Sequence, residues 1–170
     1  MADKIRHMPI AQKNGIAFTG IKTRAKSKFK NRASSGGTQN SLGIKVSSTI
    51  EMIEQINAGL PYRAFEALQK ATGLAPIDIA ALVGISQRTL IRRKETGRLR
   101  PDESDRLVRA ARVVDKAVQL FEGDRAAAMQ WLQTPQPALD GREPLEFTRT
   151  EVGSREVEDL IGRLEHGVFT

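Results

Sequence analysis

Cysteine is absent from this 170-residue chain, which excludes disulfides, thiolate metal sites and cysteine nucleophiles and fits a reducing compartment. Histidine occurs only as His7 and His166, and there is one tryptophan. No phosphate-cradling glycine loop, zinc-like cluster or nucleophile elbow is present, and the carboxylates scatter over helix faces as solvated charge does. Neither catalytic residues nor a metal site nor a cofactor is expected, so the chain reads as a binding protein and not an enzyme. No run approaches the roughly 18 apolar residues that a bilayer span needs. Lys4 and Arg6 are followed by no apolar signal-peptide core. A cytoplasmic location without a membrane partner is therefore expected.

What the chain does have is charge, unevenly placed. Residues 1–46 carry 10 Lys and Arg against one acid, 47–100 carry 8 against 5, and 101–170 carry 9 against 14, for nets of +9, +3 and −5 within a total of +7. A polyanion is attracted to the first two parts and repelled by the third. The first part holds the run Lys22 to Arg32 and then Ser34-Ser35-Gly36-Gly37. With so few large apolar side chains it cannot offset its ordering entropy, and a flexible basic arm over 1–46 is expected. It is either a solvated tail or an arm that touches DNA.

From Ile50 onward the pattern is helical. Ile50, Ile53 and Ile56 share a face, and Gly59 and Pro61 end that helix. Phe65, Leu68 and Ala71 mark the next, stopped near Gly73. A longer helix from Pro101 to about Phe121 carries the seam Leu107, Ala111, Val114, Val118 and Phe121, suited to a core or to a second subunit. Gly123 ends it, Asp124 caps a helix with Met129, Trp131 and Leu132, and Asp140-Gly141 marks a turn. Pro144 opens a single turn, and Ser154 is expected to cap a last helix holding Val157, Leu160, Ile161 and Leu164, closed at His166-Gly167. Trp131 and Phe147 read as core residues. No segment alternates strictly enough to be a strand, so the fold class is all-α.

The stretch Pro76 to Gly97, PIDIAALVGISQRTLIRRKETG, meets the steric demands of a helix-turn-helix. Pro76 suits the first helical position, Ala80 permits a close crossing, Gly84 the reversal, and Ser86 is a good N-cap. The second helix then presents Ser86, Gln87, Arg88, Ile91 and Arg92 where base edges are read, with Arg93, Lys94, Arg98 and Arg100 placed for phosphates. The alternative is a helical hairpin with a solvated basic face.

Three further segments carry a resemblance: Leu99-Arg100-Pro101-Asp102-Glu103-Ser104-Asp105-Arg106-Leu107; the Ala138-Leu139-Asp140-Gly141-Arg142-Glu143-Pro144-Leu145 stretch; and Thr150 to Phe169, ending in SREVEDLIGRLEHGVF. Over roughly residues 60–170 the chain resembles the Xre-type antitoxins of RES-Xre toxin-antitoxin systems, the MbcA/ParS/Xre family. The resemblance implies an Xre-like helix-turn-helix domain at 47–100 and a helical toxin-binding domain at 101–170. It implies a cognate RES-domain toxin, similar to ADP-ribosyltransferases and acting on NAD, and operator DNA through which the operon is autoregulated. It assigns toxin contact to Arg155, Glu158, His166, Gly167, Val168 and Phe169. A terminus ending in an aromatic residue after a glycine could plug a concave active site. Paired half-sites would make the chain a homodimer. Two alternatives stay open: a stand-alone regulator whose C-terminal domain only dimerises, and a sequence-indifferent nucleic-acid binder working through the arm.

Overall fold

The computed structural model describes residues 41–167. Among them all regular structure is helical: α1 (Thr49–Ala58), α2 (Tyr62–Thr72), α3 (Pro76–Val83), α4 (Gln87–Thr96), α5 (Pro101–Leu120), α6 (Arg125–Leu132), a 3-10 turn at Pro137–Leu139, α7 (Pro144–Phe147) and α8 (Glu151–His166). The all-α expectation holds there. Most of the basic arm lies outside the described residues. Its last residues do not: Leu42 is buried in the core, and Ser41 donates its backbone N–H at 3.0 Å and its hydroxyl to the Asp115 carboxylate on α5. One leucine in a polar stretch has no periodicity to betray it, but burying a leucine contributes roughly 1.5–3 kcal/mol.

Helix α5 is the axis of the molecule. Its 20 residues make a rod about 30 Å long, and it packs against α1, α2, α3, α6 and α8. The expected seam Leu107, Ala111 and Val114 is buried, and a second seam of Ala110, Val113 and Ala117 is buried beside it. Two adjacent seams make the broad buried face that a helix touching five others requires. The seam is thus core within this one chain, continuous from Leu42 to Ile161. Val118, Phe121, Trp131, Phe147 and Leu164 pack half-buried against its edge.

Helix α1 ends at Gly59 as expected, with its isoleucine stripe turned mostly to solvent. Its Ile50 and Ile53 are 70 % and 51 % exposed, and none of its residues is fully buried. The helix instead turns Met52, Gln55 and Ile56 toward the body. Ile56 belongs to both stripes, so periodicity alone does not choose between them.

Local chemistry explains the ends. Ser48 accepts the Glu51 N–H at α1, Ser86 that of Thr89 at α4, and Asp124 that of Ala127 at α6. Gly59 has φ +80°, and a Cβ there would lie 2.3 Å from the Leu99 carbonyl oxygen, so only glycine fits. Helix α8 begins one turn earlier than expected: Thr150 is the N-cap, accepting from Gly153 N at 3.0 Å. Ser154 is buried inside the helix, its hydroxyl donating to the Thr148 carbonyl at 3.2 Å. No buried side-chain polar atom among the described residues is unpaired, and no helix there is long and apolar enough to cross a membrane.

Candidate functional site

Helices α3 and α4 are joined by the turn Gly84-Ile85-Ser86. Gly84 takes φ +68°, and the Ile85 N–H returns to the Ala80 carbonyl at 2.9 Å, closing α3 in the left-handed manner that glycine allows. Arg106 on α5 donates Nε–H to the Val83 carbonyl and Nη2–H to Asp102, pinning the turn to the rod. Ile79, Ala80, Leu82 and Val83 are buried beneath it. This is the expected helix-turn-helix.

On α4 only Leu90 and Arg93 face inward. Gln87, Arg88, Ile91, Arg92 and Lys94 are exposed, and residues three and four apart share one side of a helix, so Gln87, Arg88, Ile91 and Arg92 form a single face. Arg88, Arg92, Lys94 and Arg100 make no ion pair among the described residues. Four unpaired cations thus gather on and just after one helix. The Ser86 hydroxyl is occupied by capping, at 3.2 Å from Thr89 N and 3.1 Å from Thr89 Oγ1.

One expected phosphate contact is corrected. Arg93 is 7 % exposed, and its Nε–H and Nη2–H donate to the two Glu103 carboxylate oxygens at 2.7 and 2.8 Å. Glu103 also accepts the Arg100 N–H at 2.8 Å. Burial pushes the Glu103 carboxyl up, but the bonds from Arg93 and Arg100 outweigh it and hold the group below the ordinary carboxylate range; the Arg93 guanidinium is raised in turn by Glu103. A bidentate pair out of water does not open to meet a phosphate. The sequence carried one signal for this: Arg93 lies three residues after the buried Leu90, on its face. Arg98 donates Nε–H and Nη2–H to the Gly59 carbonyl at 3.2 and 3.0 Å, strapping the end of α4 to the end of α1.

At the other end, α8 lays Val157, Leu160 and Ile161 on the core. A Cβ at Gly153 would stand 2.1 Å from the Phe147 carbonyl oxygen, so this glycine sets how closely α8 crosses the end of α7. Glu158 is turned inward, only 14 % exposed at its side chain, accepting from Arg112 Nε at 2.6 Å and Lys116 Nζ at 2.7 Å. It fastens α8 to α5. Arg155 is well exposed and pairs with Glu151 at 2.9 Å; Glu151 also meets Arg109 at 2.7 Å and is held below the usual carboxylate range by Arg155 first, then Arg109. His166 is exposed in the last turn, and Gly167 is the left-handed C-cap. Val168 and Phe169 lie outside the described residues.

Residues 51–112 match the family described as the antitoxin Xre-like helix-turn-helix domain, and residues 116–167 match the antitoxin Xre/MbcA/ParS C-terminal toxin-binding domain. The two matches meet within α5. A protein of Yersinia enterocolitica named antitoxin Xre is 38% identical over 130 residues, covering 76% of this chain and 88% of that one. Its namesake from Photorhabdus laumondii is 36% identical over the same shares, and one from Pseudomonas putida is 28% identical over 72% of this chain and 76% of its own. The chain belongs to the Xre antitoxin family, a helix-turn-helix binding protein and not an enzyme.

Proposed function

We propose that this antitoxin binds a cognate RES-domain toxin that consumes NAD, silences it by occupying its active site, and represses its own operon by binding operator DNA as a homodimer. DNA contact falls to Gln87, Arg88, Ile91, Arg92 and Lys94, with Arg100 beside them; Ser86 sets the helix start. Toxin contact falls to Arg155, His166 and Gly167, followed by Val168 and Phe169, the segment suited to enter a cleft. The NAD chemistry belongs to the toxin.

One observation supports the DNA half above all: exposed cations on α4 with no ion pair among the described residues, on a helix held by Leu90 and the Arg93–Glu103 pair. The RES identity rests on the resemblance of the segments at 138–145 and 150–169. Coexpression with the neighbouring reading frame tests the toxin half. The expected result is a copurifying, otherwise toxic protein whose depletion of cellular NAD stops when this chain is present. Full neutralisation by a chain lacking 167–170 overturns the plug. Consistent absence of any toxic partner favours the stand-alone regulator.

A further inference from the structure

Resting on the reading that α4 enters DNA, we propose that Ile91 is a specificity-determining residue that recognises the 5-methyl group of a thymine in the major groove. Ile91 is 55 % exposed although the helix already has its buried anchor in Leu90 next door, so it contributes little to the core. An exposed β-branched side chain is also a poor choice for a solvated helix, where long straight chains are better helix formers. Its neighbours three and four positions away are Gln87, Arg88, Lys94 and Glu95, with Arg92 alongside, all exposed, and none of the three cations has an ion pair among the described residues.

The occupant of such a face is set by charge complementarity. An apolar spot beside Arg88 and Arg92, with Lys94 and Arg100 close along the chain and Glu95 the one acid of the helix, keeps a net positive surround, which repels a basic partner and gives an apolar one nothing to pair with its guanidiniums. The major groove offers both requirements within one ligand: guanine and phosphate acceptors for arginine, and the thymine methyl, the apolar group that a base edge presents there. The rigidity needed to aim a single side chain comes from the bidentate Arg93–Glu103 bond and from the Ser86 cap.

The test begins with the full-length chain selecting a site from a pool of random-sequence DNA duplexes. In the winning duplex each thymine is replaced in turn by deoxyuridine, which removes the methyl alone, and affinity is measured at fixed salt. Wild type is expected to lose affinity about three- to tenfold at one thymine per half-site, while I91A binds the thymine and deoxyuridine duplexes equally and melts at the wild-type temperature. Selective binding with no methyl-sensitive position overturns the proposal while leaving the DNA reading intact. So does I91A retaining full methyl sensitivity, or I91A losing capture of a second copy or of the toxin with DNA affinity unchanged, which would make Ile91 a protein contact. Failure to select any sequence overturns the DNA reading itself, and the proposal with it.

Discussion

Helices α4 and α5 handle positive charge in opposite ways. On and just after α4, Arg88, Arg92, Lys94 and Arg100 are exposed and without an ion pair among the described residues, whereas on α5 Arg106, Arg109, Arg112 and Lys116 each meet a carboxylate at 2.6–2.7 Å. The contrast is not one of composition, since arginine is frequent in both. It is one of geometry: the cations of α5 meet carboxylates one turn back on α5 itself or across on α8, while the exposed cations of α4 meet none among the described residues. Cations already neutralised within the fold lend a polyanion little, and those left bare are free to exchange counterions for phosphates. The one buried cation of α4, Arg93, serves the fold and thereby marks the boundary between the two uses.

Several changes would break or sharpen that contrast. The largest effect on stability is expected from E103A, which strands the Arg93 guanidinium in the interior; a loss of about 3–5 kcal/mol is expected in urea unfolding, and an unchanged midpoint would mean that the pair holds nothing. R88A/R92A should lower operator affinity about 10- to 100-fold with unfolding altered by less than about 0.5 kcal/mol; matched losses of stability and affinity would deny that these cations are free. G153A forces a Cβ against the Phe147 carbonyl and should cost about 1–3 kcal/mol, read as a lowered melting temperature.

Acid should act through Glu103. Its folded carboxyl titrates below its unfolded value, so the pair's contribution is full above the unfolded value and is lost as pH falls through the folded one. Wild type should therefore destabilise on acidification more steeply than E103Q, followed by chemical denaturation across the acidic range. The smallest effect is expected from E158Q, whose partners are half in water: about 1 kcal/mol or less.

What could be read without the structure was whatever is written locally. Pro76, Gly84, Ser86, Gly97 and Asp124 punctuate helices through their own backbone or side-chain chemistry, and they stand where expected. The residues that escaped depend on distant partners. Glu158 is spent on cations 42 and 46 positions away, and Arg98 reaches back to Gly59. Arg93 finds Glu103 across the turn between α4 and α5. Thr150 and Ser154 are both good caps; the choice between them rests on Gly153 and its tight seat against Phe147. Ile50, Ile53 and Ile56 do share a face, but periodicity reports a stripe without saying which side the body lies on.

The salt dependence of operator binding, taken side by side in two variants, addresses the central contrast most directly. For K94A/R100A the slope of log affinity on log salt should become shallower by about 0.9 for each cation removed per bound chain, while for R112Q/K116Q, whose cations are already held by Glu158, it should match wild type. Equal shallowing in both variants, or none in the first, would contradict the division of charge on which the account rests.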